Sequence, residues 1–272
     1  LTNGQDTWRA RYAETHTPGS EGGSGKRTGG DTGTAPGAYL TSGVDGRGHF
    51  TRALWLGDQA GDTHGVAKAA WSAGATLVRT GHPNDALKYF QLGQVCLREA
   101  QHRKPTAATP RADDPRLPTL TAWLNLNSAT AYAIMKGSDE ATQCLAKAHD
   151  GWAPRDAYEH GGMDRVTAGI HLDLDHLDTA EQLAANAVRN YGEGNRRDRT
   201  MAQLLRAEIH IRAGEPQGLI LAHHAINEVR TLHSVAARQE RLIPLATALE
   251  ARPGTDNQDL ARTARLITTA RI

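Results

Sequence analysis

The chain has 272 residues, enough for one large domain or one extended repeat array. Its 31 basic and 30 acidic side chains leave a formal net charge of +1, so no whole-protein field draws in nucleic acid, a membrane surface or an acidic substrate. Two widely separated cysteines, Cys96 and Cys144, exclude a disulfide framework, and no apolar run reaches membrane-spanning length.

Residues 1–48 read as a flexible Gly-rich arm or linker. The stretch from Pro18 to Gly48 is Gly-, Ser- and Thr-rich and offers little apolar surface to offset the entropy of ordering it. Ahead of that stretch, Trp8 to Tyr12 can form a helical turn that docks on the body. Leu1 to Ala10 lacks the charged-then-apolar order of a secretion signal, so the expected location is cytoplasmic.

From residue 49 the pattern is helical and paired, in keeping with abundant Ala, Leu and Arg and few alternating β-branched runs. Asp62 or Thr63 caps a helix running to about Thr80, and Gly81-His82-Pro83-Asn84 breaks it. A second helix reaches about Gln101. Gly74 allows the two to approach, Leu77 and Phe90 fill the gap, and Ala86 sits at the crossing. The segment from His102 to Pro118, with four prolines, is a loop. A second pair spans about 118–135 and 139–149, and a third about 164–174 and 179–191. A fourth spans about 200–212 and 217–232, its turn Ala213-Gly214-Glu215-Pro216 resembling Thr80-Gly81-His82-Pro83. The crossing positions are Ala86, Ala141, Ala180 and Gly218. Two further helices, 234–251 and 256–269, present Leu242, Leu245, Leu249, Leu260, Ala264 and Ile267 as a capping face, since an array end otherwise exposes its core. The expected fold is all-α: a right-handed superhelix of tetratricopeptide-like antiparallel helix pairs over 49–232, with capping helices over 233–272.

Three stretches carry a family resemblance: LDHLDTAEQLAANAV from Leu174 to Val188, IHIRAGEP from Ile209 to Pro216, and RLIPLATALEARPG with DLARTARLI near the end. With them, residues 50–272 resemble the tetratricopeptide-like C-terminal region of actinobacterial helix-turn-helix (XRE-type) transcriptional regulators. The resemblance implies an array that senses a ligand or mediates assembly. No helix-turn-helix reader is recognisable here, because residues 1–48 are too Gly-rich. The expectation is that this domain was lost or lies upstream of these residues, or that the chain is a stand-alone relative, and direct DNA binding by this chain alone is not expected.

Catalytic and metal motifs are sparse. His171 and Asp175 stand four apart and share a helix face, as two metal ligands require, but no third ligand is evident, and the polar end of a helix explains them. In His223-His224 one ring is expected to face the core interface and the other water. Cys96 and Cys144 have no neighbouring base, and inert burial suits them. Gly22 to Thr28 lacks phosphate-loop spacing, and Arg196 to Arg199 reads as a charged inter-repeat turn. No metal, no cofactor and no catalytic residue is expected.

The remaining function is surface recognition. The first helices of the pairs line the concave face of such a stack. Counted from the turn glycines, Lys68, Trp71 and Arg79 point into that groove from the first pair. Asn127 takes the place of Trp71 in the second, and Glu208 and Arg212 lie a turn apart in the fourth. An amide holds a peptide backbone, a guanidinium grips a carboxylate, and an indole adds apolar area. The expected partner is a peptide or protein, self-association into a homodimer is allowed, and no membrane is involved. The competing reading is an adaptor that joins protein partners without a small ligand.

Overall fold

The computed structural model describes residues 43–102, 116–151, 156–232 and 234–269. Most of the Gly-rich arm, including Trp8 to Tyr12 and Gly22 to Thr28, lies outside them, as does most of the Pro-rich loop. The described residues hold eleven α-helices, one π-helical segment and no strand. Helix α1 is Gly43–Ala60, so helix begins before residue 49. Next come α2 (Thr63–Arg79), α3 (Pro83–His102), α4 (Arg116–Ile134), α5 (Ser138–Gly151), α6 (Ala157–Asp173), α7 (Leu177–Tyr191), α8 (Arg196–Ala213) and α9 (Gln217–Thr231). The π segment Ala237–Leu242, α10 (Ile243–Glu250) and α11 (Thr255–Thr269) complete them.

One turn is built repeatedly. Gly61, Gly81, Lys136, Asp175 and Gly214 have φ of 67°, 80°, 63°, 62° and 78° and end α1, α2, α4, α6 and α8. In every case the left-handed residue donates its N–H to the carbonyl three back, and the next residue donates to the carbonyl five back. For Gly81 these bonds are Gly81 to Val78 at 3.1 Å and His82 to Leu77 at 2.8 Å. This double bond satisfies the carbonyls that a helix end leaves over, and the left-handed residue reverses the chain.

The turn fixes the packing register of each pair. Seven residues before it stand Gly74, Ala129, Ala168 and Ala207, all buried. A Cβ on Gly74 would lie 2.3 Å from Phe90 Cε1, so only glycine lets the fully buried Phe90 ring seat there. Five residues after the turn, Ala86, Ala141 and Ala180 are fully buried. The fourth crossing uses Gly218 instead, where a Cβ would approach Ile211 N to 2.8 Å.

Each second helix packs on its first helix. The first helices α2, α4, α6, α8 and α10 also touch one another in series, forming a continuous layer. Because α4 is packed by α2, α3, α5 and α6, it is apolar on several sides: Leu117, Leu120, Leu124, Leu126 and Ala131 are all buried. Burying one such leucine stabilises the fold by roughly 1.5–3 kcal/mol.

The C-terminal stretch is not the single helix 234–251 read from the sequence. Pro244 lacks an N–H, and its ring would strike the carbonyl four residues back in an α-helix. The wider π turn at Ala237–Leu242 relieves this by absorbing an extra residue just before Pro244. Leu242, Leu245, Leu249, Leu260, Ala264 and Ile267 all lie in one cluster with Leu204, Ile211, Ala222 and Ile226 of α8 and α9. Helices α6 and α8 start earlier than expected, and Arg196 to Arg199 form the first turn of α8 rather than a loop.

Candidate functional site

Counting back from the left-handed residue places the same stripe on α2, α4, α6 and α8. On α2 it runs His64, Lys68, Trp71, Ala75, Arg79. On α6 it runs Tyr158, Gly162, Arg165, Gly169, Asp173, and on α8 it ends Leu204, Glu208, Arg212. The spacing of three and four keeps each stripe on one face.

At one end of this first-helix face Lys68 is exposed and Trp71 is half-buried. The Trp71 ring is 6.3 Å from the Trp123 ring of α4, tilted by 46°. A Cβ on Gly162 of α6 would sit 3.7 Å from the far edge of Trp123, so three successive first helices meet around these indoles. Asn127 is not the counterpart of Trp71. In α4 the left-handed residue is Lys136, one before Gly137, which aligns Asn127 with Ser72. Its Nδ2 donates to the Trp123 carbonyl at 2.8 Å, within its own helix.

At the other end the face is charged and covered by the π segment. Glu208 is 1% exposed, and its Oε1 accepts from Arg212 Nη2 at 2.6 Å. Its Oε2 is buried and meets no hydrogen-bond donor among the described residues. Burial pushes the Glu208 carboxyl above the usual carboxylate range, Arg212 and Arg241 pull it back, and Asp173 pushes it up. Burial likewise raises Asp173, against Arg241, Arg212 and Lys136. Arg241 is held below the ordinary guanidinium value by burial and by Arg165, while Glu208, Asp173 and Glu240 oppose that. Gly169 makes room for it, since a Cβ there would lie 3.2 Å from Arg241 Nη2. Arg79 Nη2 donates to Thr76 Oγ1 at 3.0 Å, and its Nε is 3.5 Å from Glu240 Oε1.

The six sequence-read residues therefore fall into four places. Lys68 and Trp71 lie at the indole end, the buried Glu208 pairs with the exposed Arg212, Arg79 faces the π segment, and Asn127 is tied to its own helix. Trp123, Arg165, Asp173, Glu240 and Arg241 escaped the sequence reading. The stripe spacing marks Arg165 and Asp173 once the turn residue is known. Nothing periodic marks Glu240 or Arg241. The chain matches no family model and no curated protein.

Other chemistry is thin. Asp175 occupies the left-handed turn, not the helix face of His171, and its Oδ2 accepts from Lys136 Nζ at 3.2 Å. The His171 and His176 Nδ1 atoms are 3.3 Å apart, and no group of three or more metal-ligating side chains occurs among the described residues. His223 and His224 are both exposed, so neither faces the core. Cys96 and Cys144 are half-buried thiols; burial pushes the Cys144 thiol up, against a smaller lowering by Lys147. A cavity of about 270 Å³ lies between α7 and α8, lined by residues that include Asp178, Glu181, His210 and Glu215. A wider cleft of about 690 Å³ is lined by residues that include Arg212, Pro244 and Arg252. No helix among the described residues is long and apolar enough to cross a membrane.

Proposed function

We propose that this chain is a non-catalytic binding module built as a tetratricopeptide-like superhelix. Its first-helix face takes a peptide or protein segment at the end marked by Lys68, Trp71 and Trp123. On the sequence resemblance, it is the sensor or assembly part of a helix-turn-helix regulator, or a stand-alone relative of such a part. The observation that carries the binding reading is the indole pair. Two half-buried tryptophans from successive first helices, 6.3 Å apart beside an exposed lysine, offer apolar area with a polar rim. Such an arrangement is suited to anchoring one large side chain of an extended segment.

The test passes a random peptide library over the immobilised full chain and over its Trp123→Ala variant, with the retained peptides sequenced. The parent is expected to retain a restricted set that the variant loses. Retention of one and the same set by both proteins would remove the indole end as the binding surface. An adaptor function has its own support in Trp55 and Leu56 of α1, which are 51% and 49% exposed. Capture of a folded protein that Trp55→Ala abolishes and Trp123→Ala spares would establish that alternative.

A further inference from the structure

The chemistry of the partner is written into the way the chain covers its own face. The π segment lies over the C-terminal ends of the first helices. It turns Arg241 toward Asp173 and Glu208, and it sets Glu240 3.5 Å from Arg79. Both acids of the stripes on α2, α6 and α8, the half-buried Asp173 and the buried Glu208, are already drawn to Arg241 and to the exposed Arg212. The exposed charges on α2 are basic: Lys68 and Arg79, eleven residues and three turns apart on one line. Between them lie Trp71 and Ala75. At 1.5 Å per residue that line is roughly 16 Å long, the span of about five extended residues.

From this juxtaposition we propose that the first-helix face of α2 and α4 takes an extended acidic peptide segment, and that Glu240 is its intramolecular competitor for Arg79. The inference rests on the binding reading above and adds the partner's charge and a displacement step. An acidic side chain of the partner replaces Glu240 at Arg79. A second one meets Lys68, and an apolar side chain between them lies on Trp71 and Trp123. Charge complementarity selects the partner, because a basic segment would meet Lys68 and Arg79 with like charge and would find Asp173 and Glu208 already covered. Arg79 and Glu240 are each about one-third exposed, 34% and 32%, so the pair is weak enough to exchange.

The experiment uses the full chain and two fluorescein-labelled hexapeptides, one alternating glutamate with leucine and one alternating lysine with leucine, titrated by fluorescence anisotropy. The acidic peptide is expected to bind and the basic one is not. Glu240→Gln is expected to tighten the acidic peptide about threefold, the worth of an exposed ion pair. Arg79→Gln is expected to weaken it about tenfold, the worth of a hydrogen bond to a charged group. Both substitutions sit at the surface, and circular dichroism checks that helix content is kept. Amide exchange in residues 234–242 is expected to quicken when the acidic peptide is added. Equal binding of both peptides, or an affinity for the acidic peptide that Glu240→Gln leaves unchanged or lowers, would overturn the proposal. If the acidic peptide is ignored while library capture still depends on Trp123, the partner's charge is wrong and the binding surface stands. If capture ignores Trp123, the surface itself is wrong.

Discussion

Gly74 carries the packing of the first pair, because the Phe90 ring occupies the space of its absent side chain. A Cβ 2.3 Å from Cε1 forces the ring to move, so Gly74→Ala is expected to destabilise by about 1–3 kcal/mol in urea denaturation, in the range of overpacked cores. This contact was legible: glycine and phenylalanine at small and large positions of a helix pair imply it. Trp123 was not legible as the partner of Trp71, since Lys136 is a left-handed residue with no glycine to announce it, and counting from Gly137 slips the register by one. Glu208 was legible as a face residue but not as a buried one, because the cover comes from a distant segment. Its raised carboxyl makes folding take up a proton. That contribution is complete below the carboxyl range of the unfolded chain and is lost as pH rises through the folded value. Glu208→Gln has no such proton to bind. The stability of the variant relative to the parent is therefore expected to climb across that window and then level off. A constant difference from acid to neutral pH would show that Glu208 does not titrate there.

At the scale of the helix, the repeated turn predicts opposite signs at equivalent positions. Gly81 and Gly214 hold the left-handed conformation without a side-chain clash, and replacing either by alanine is expected to cost about 1 kcal/mol. Lys136 holds the same conformation with a Cβ. Lys136→Gly is expected to stabilise by about 0.5 kcal/mol even though glycine is freer in the unfolded chain and the Nζ contact with Asp175 is lost. Thermal melts of the three variants decide it, and a loss at all three would refute the equivalence of the turns. The helix pairs themselves were legible, because two of the turns carry the Gly-x-Pro signal and small residues recur around each. The π turn was not, since Pro244 alone specifies a break without specifying its form. Helix α1 escaped because Gly43 to Gly48 reads as linker by composition.

For the whole molecule, α10 and α11 share one core with α8 and α9. Truncation after residue 233 uncovers Leu204, Ile211 and Ile226, so the shortened chain is expected to lose cooperative unfolding and to self-associate in sedimentation velocity. That the end packs on the last pair followed from its apolar spacing. That it also reaches Arg79 of the first pair did not, because a single contact over so long a sequence separation leaves no periodic trace. This contact has a further consequence. Open repeat arrays grow and shrink in evolution by whole units, since each unit touches only its neighbours. Here one inserted or deleted pair between α3 and α8 would carry Glu240 out of reach of Arg79. Homologous lineages that keep this pairing are bound to a fixed number of pairs, and those that vary the number must give up the ion pair.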